Sequence, residues 1–147
     1  AVTAKAEKPV GSTAGMQSSA ETSPYYSAWV ATSGDDLGAA RRAIRDRDFR
    51  CLAEVTERSC LKLHALAMTS RPPVLYWNAA TLACIDAVRD LQRGGLPVFY
   101  TIDAGPQLKA LCRPEAAEDV ARALRRVPGV LEVIVSGLGR GVEILGP

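Results

Sequence analysis

One histidine, His64, is all the imidazole in this chain of 147 residues, and none of its four cysteines (Cys51, Cys60, Cys84 and Cys112) stands in a C-x-x-C pair. That leaves poor raw material for a zinc site. Three of the cysteines fall in apolar, periodic segments, so they read as buried thiols in a reducing compartment rather than as a disulfide frame. No charge of one sign dominates. Eighteen basic residues meet 16 acidic ones, for a net +2, which is no nucleic-acid footprint. No apolar run reaches the roughly 20 residues of a membrane span. The polar N-terminal stretch lacks the apolar core of a signal peptide, and a cytoplasmic location is expected. An initiator methionine is missing as well. The chain opens Ala-Val-Thr-Ala, in what reads as the end of a strand, so a processed chain or one cut from something longer is expected.

What is present suits one compact domain. The apolar share is 48% and the charged share 23%, ordinary for a globular protein, and a chain of this length buries about 68–70% of its unfolded surface. Residues 1–10 could hold a short strand. Residues 11–24 are dense in Gly, Ser and Thr, which suits a flexible linker, but Met16, Ala20, Tyr25 and Trp29 can share a helical stripe. The reading is a loop to about residue 15 and a helix to about residue 31. Gly34-Asp35-Asp36 begins a second helix with Asp35 as N-cap and a basic end from Arg41 to Arg47. A third helix runs from Phe49 to about Ser70, with Leu52, Val55, Leu61 and Leu63 as apolar positions, and Arg71-Pro72-Pro73 stops it. Asn78 caps a fourth helix to about Gln92, with Leu82, Ile85, Ala87, Val88 and Leu91 on its buried face.

The pattern then turns to strands. Val98 to Ile102 is β-branched and aromatic, Asp103-Ala104-Gly105-Pro106 is a turn sequence, and Leu108 to Cys112 is a second strand. Glu115 to Val127 reads as a helix with Pro114 at its start. Val130 to Val135 and Val142 to Leu145 read as strands around a glycine loop. Four helices followed by β-β-α-β-β predict an α/β (α+β) sandwich, an antiparallel sheet with helices packed on one face.

Few motifs carry chemistry. The loop Gly137-Leu138-Gly139-Arg140-Gly141 invites a nucleotide-binding reading, but a strand rather than a helix is expected after it, so it reads as a turn or bulge. A Walker A ending is absent. His64 has no partner in sequence and reads as a packed, hydrogen-bonding residue. Arg71 can bind an anion, but a solvated loop arginine is the simpler reading. Asp103 is sharper. It follows a buried-looking strand and enters a tight turn at the rim of a sheet, although an aspartate also caps such turns for purely structural reasons.

Several segments together carry a family resemblance. Lys8-Pro9-Val10-Gly11-Ser12-Thr13-Ala14-Gly15-Met16 resembles the K-x-V-S-S-T-x-G-M segment of mevalonate diphosphate decarboxylases. Glu21 to Tyr26, Arg47-Asp48-Phe49, Leu63-His64-Ala65 and Pro72-Pro73 follow in the family's order. Asp103 to Pro106 resembles its D-A-G-P-N turn, and Ser136 to Ile144 its S-x-G-x-G-V-E-I tail. Gly11 stands where the family has the first serine, and Gln107 where it has the asparagine after the proline.

The resemblance covers nearly the whole chain and implies the C-terminal half of such an enzyme. Residues 1–147 would be a single ferredoxin-like, substrate-side domain of the galactokinase, homoserine kinase, mevalonate kinase and phosphomevalonate kinase superfamily, completed by a missing N-terminal ATP-binding domain. It implies the conversion of mevalonate 5-diphosphate to isopentenyl diphosphate in isoprenoid synthesis, ATP and Mg2+ as requirements of the full-length enzyme, and a homodimer. It assigns Asp103 as the catalytic aspartate and Ser12 as a substrate contact, with Thr13 and Gly15 beside it, and no metal ligand in this chain. The family's phosphate loop is not here, so the chain is expected to be inactive alone. Alternatives are a phosphomevalonate decarboxylase, a mevalonate 3-kinase, or a non-catalytic interaction domain.

Overall fold

A computed structural model describes residues 1–143. Four helices come first: α1 (Ser12–Thr22), α2 (Tyr26–Asp46), α3 (Phe49–Thr69) and α4 (Ala79–Arg93). Strands β1 (Val98–Ile102) and β2 (Leu108–Cys112) follow, then a 3-10 turn at Pro114–Ala116 and helix α5 (Ala117–Arg125). The strands pair antiparallel, with Val98 opposite Cys112 and Ile102 opposite Leu108. Beyond β2 the N-terminus continues the hydrogen bonding. Ala1 and Leu108 exchange both backbone bonds, at 2.7 and 3.2 Å. Val2 in turn bonds Leu131 and Glu132, at 2.8 Å each. The spatial order is therefore β1, β2, residues 1–2, residues 131–132. This is the mixed helix and antiparallel-sheet class expected from the order of elements.

Alternation along the strands settles the core, since alternate residues share a face. Val98, Tyr100, Ile102 and Leu108 pack with Cys84, Ile85 and Val88 of α4 and Val120 and Leu124 of α5. The other face carries Phe99, whose ring meets Phe49 of α3 at 5.2 Å. The outer edge of β1 has no neighbouring strand among the described residues, and side chains cover it instead. Glu57 accepts from the Tyr100 amide at 3.2 Å. Gln92 donates to the Val98 carbonyl at 3.0 Å. His64 and Cys60 of α3 both reach the Ile102 carbonyl, at 3.1 and 3.6 Å.

Several expected boundaries shift. The first helix begins at Ser12 rather than near residue 16, and it breaks at Ser23–Tyr25. Pro24 explains the break, because a residue before proline is pushed out of the helical region and Ser23 sits extended at ψ 127°. Gly34 and Asp35 start no helix. They lie inside α2, and Asp36 beside them is buried between Arg58 (2.7 Å) and Lys62 (2.5 Å) of α3. Leu61 and Leu82 are exposed, while Cys60, His64 and Thr81 are buried in their stead. The last helix is a 3-10 turn plus nine residues. Residues 130–135 form a single bridge to Val2 rather than a strand. Val142 and Glu143 are not in a strand, and the rest of that expected strand lies outside the described residues. All four cysteines are free thiols, Cys60 and Cys84 buried and Cys51 and Cys112 half-buried.

Candidate active site

The turn after β1 is fixed from several sides. The Gly105 amide donates to the Asp103 carbonyl at 2.7 Å, closing a tight bend. The Pro106 carbonyl accepts hydroxyls from Thr3 (2.9 Å) and Thr81 (2.7 Å). Thr81 belongs to the capping box that starts α4, where Asn78 accepts its amide at 2.8 Å. Gln107, at the family's asparagine position, accepts from the Thr3 amide and donates to the Ala4 carbonyl, both at 2.6 Å. Its amide thus fastens the turn to the N-terminal segment. The Asp103 side chain is left outward, 79% exposed, and its Oδ2 meets the Lys109 ammonium at 2.5 Å.

Helix α1 begins close by. Its N-cap is Gly11, which offers no capping side chain, so the first-turn amides point outward without that partner. An amide-rich, dipole-positive end of this kind suits an anion. Lys8 joins this end to the turn. Its ammonium donates to Ser12 Oγ at 2.8 Å and to the Ala104 carbonyl at 2.7 Å, and it lies 5.8 Å from the centre of the Tyr76 ring. Ser12 and the Asp103 turn therefore share one cation.

Thr13 is exposed one residue further on. Gly15 is buried and faces inward, where an added Cβ would lie 2.2 Å from Tyr76 Oη. Close approach of Tyr76, whose hydroxyl donates to the Gly11 carbonyl at 3.4 Å, is what requires a glycine there.

His64 stands behind the turn rather than in it. It is buried, tilted against Trp77 at 4.6 Å, and bonded to the carbonyl of the residue before Asp103. Burial pushes its pKa down, opposed by the Ile102 carbonyl and the Asp103 charge. Neutral imidazole with its proton on Nε2 is the form that donates to Ile102. Burial likewise raises the Cys60 thiol. Arg71 is exposed at the other end of α1, where its backbone amide donates to Thr22 Oγ1 at 2.7 Å. No group of three or more His, Cys, Asp or Glu side chains able to hold a metal occurs among the described residues.

Sequence reading singled out Asp103, Ser12, Thr13 and Gly15. It did not assign Lys8, Thr3, Thr81, Gln107 or Lys109. Lys109 had a signal: it is opposite Thr101, and strand alternation puts Asp103, two residues on, over the same face.

Fold and site together define a helix-backed α+β domain that presents an outward carboxylate beside an uncapped helix start. The family described as the mevalonate 5-diphosphate decarboxylase C-terminal domain matches residues 1–136, and the chain belongs to that family. The diphosphomevalonate decarboxylase mvd1 of Aspergillus fumigatus is 32% identical over 126 residues, which cover 84% of this chain and 31% of that protein. The crystal structure of mevalonate diphosphate decarboxylase from Staphylococcus aureus superposes with a TM-score of 0.79 at 31% identity, over 84% of this chain and 37% of the other. A structure described as MDDEF in complex with MVAPP, AMPPCP and magnesium superposes with a TM-score of 0.78 at 32% identity, over 83% and 38%. The chain thus spans less than half the length of these relatives.

Proposed function

We propose that this chain is the C-terminal, substrate-side domain of an ATP-dependent mevalonate 5-diphosphate decarboxylase, a carboxy-lyase that makes isopentenyl diphosphate. Residues 1–147 are one domain of it, and an N-terminal half supplies most of the nucleotide site. The observation that carries this reading is the Lys8 ammonium shared by Ser12 and the Ala104 carbonyl, which brings the anion-binding helix start and the acidic turn into one site. The ligand set of the similar structure, MVAPP, AMPPCP and magnesium, supports both substrate and nucleotide.

In this mechanism Ser12 and the first amides of α1 hold the diphosphate, with Thr13 beside them. ATP with Mg2+ supplies the phosphoryl group. Asp103 faces the tertiary hydroxyl. A carboxylate is too weak a base to deprotonate an alcohol in advance. It accepts the proton as phosphoryl transfer proceeds through a loose transition state. Asp103 passes that proton to the departing phosphate, positive charge grows on the tertiary carbon, and the carboxylate, ionised again, stabilises it. Loss of CO2 then supplies the electron pair of the alkene.

The test is turnover of mevalonate 5-diphosphate with ATP. The isolated chain turns over nothing. In the protein that joins it to its N-terminal half, Asp103→Asn lowers kcat by on the order of a thousandfold while substrate still binds. Near-normal turnover in that variant refutes the role. The whole enzyme is read as a cytoplasmic homodimer. Val30, Leu37 and Ile44, exposed along one side of α2, support association.

A further inference from the structure

We infer that Lys109 is a positioning residue for Asp103, one that selects which carboxylate oxygen reacts; this rests on the role proposed above for Asp103. The two side chains sit across the hairpin as a diagonal pair. Lys109 Nζ is 2.5 Å from Asp103 Oδ2, and no hydrogen bond to Asp103 Oδ1 occurs among the described residues. The pair is 55% and 79% exposed, and exposed pairs contribute little to stability. Its effect is on orientation. A carboxylate on a turn is free about χ1 and χ2, whereas a cation anchored on a paired strand holds one oxygen and leaves the other outward. Lys8 does not do this, because its ammonium is engaged by Ser12 and the Ala104 carbonyl.

The chemistry needs that asymmetry. As the substrate oxygen bonds to phosphorus, its O–H bond breaks. The O–H electrons remain on the oxygen, the proton goes to Asp103 Oδ1, and ADP leaves with the electrons of the cleaved P–O bond. Lys109 stays an ammonium throughout and neither gains nor loses a proton. By holding Oδ2 it keeps Oδ1 on the hydroxyl and, once Oδ1 has passed its proton to the departing phosphate, keeps the ionised carboxylate against the developing cation. A misplacement of about 1 Å at such a group costs up to about a hundredfold in rate.

The experiment compares Lys109→Met, Lys109→Arg and Asp103→Asn in the protein that joins this chain to its N-terminal half. Steady-state kinetics use mevalonate 5-diphosphate and ATP, and thermal melts are recorded alongside. Lys109→Met is expected to lower kcat ten- to a hundredfold, with KM for mevalonate 5-diphosphate within about twofold and the melting temperature within about 2 °C of wild type. Lys109→Arg is expected to recover most of the loss, because a guanidinium donates to the same oxygen. If Asp103→Asn is inactive while Lys109→Met keeps wild-type kcat, the inference falls and the proposed function stands. A KM rise with kcat unchanged makes Lys109 a substrate ligand and also overturns it, as does a lowered melting temperature that accounts for the lost activity. If Asp103→Asn turns over normally, both readings fall together.

Discussion

A methyl group at position 15 would meet Tyr76 Oη at 2.2 Å and its Cζ at 3.3 Å. Two effects compete there. Alanine is the better helix former by about 1 kcal/mol, whereas overpacking costs about 1–3 kcal/mol. With Tyr76 in place the clash wins, and Gly15→Ala is expected to destabilise the chain by about 1 kcal/mol in urea denaturation. In a Tyr76→Phe background the nearest atom is gone, and the same substitution should be neutral or stabilising. Equal effects in the two backgrounds would show that Tyr76 is not the constraint. Gly15 was legible in sequence as part of a site motif. Its contact was not, because Tyr76 is 61 residues away and no local rule pairs the two. The turn at Asp103, by contrast, was legible from its turn residues alone, and the structure has it. Lys109 was legible only once the hairpin register was known.

Among the elements, α3 is bound to β1 by polar side chains as well as apolar ones. His64 links them at Ile102, and burial lowers its pKa in the fold. Unfolded histidine titrates near 6.5. Below that pH the unfolded chain binds more protons than the folded one, so stability rises with pH there. This contribution is complete above about pH 6.5 and is lost as pH falls toward the folded value. Wild-type protein should therefore lose stability as pH drops below about 6.5, and His64→Leu should flatten the profile in that window. Removing the donor costs about 1–3 kcal/mol at neutral pH. An unchanged slope in His64→Leu, by denaturant titration across pH, would rule the link out. Helix periodicity gave α3 and α4 nearly their full spans and put Val55, Ile85 and Val88 correctly in the core, but it misassigned Leu61 and Leu82, which are exposed. His64, read from sequence as a packed, hydrogen-bonding residue, is one; its partner on β1, and the burial of Thr81 under the turn carbonyl, needed the tertiary structure. The break at Pro24 was readable; the run of α2 through Gly34 was not, because its support is the tertiary pairing of Asp36 with Arg58 and Lys62.

For the molecule as a whole, the exposed side chains Val30, Leu37 and Ile44 recur every seventh position along α2, a spacing that aligns them on one side. If that side carries the proposed self-association, light scattering gives a dimer mass for the protein and a monomer mass for Leu37→Lys. A monomer in both cases removes the dimer from the reading. The fold class was legible at this scale because element order alone implies helices against an antiparallel sheet. The sheet's real width was not, since its outer members are held by single residues, Ala1, Val2, Leu131 and Glu132.

The side-chain cover on the outer edge of β1 also bears on how the chain reaches this state. A lone hairpin is marginal in water, and in this one the Tyr100 amide and the Val98 and Ile102 carbonyls are satisfied by Glu57, Gln92, His64 and Cys60. Those groups are delivered by two helices that precede the hairpin in the chain. Hairpin and helices thus satisfy one another's polar groups. The native state is therefore expected to form cooperatively, and the Asp103 turn depends on the helices as well as on its own two strands.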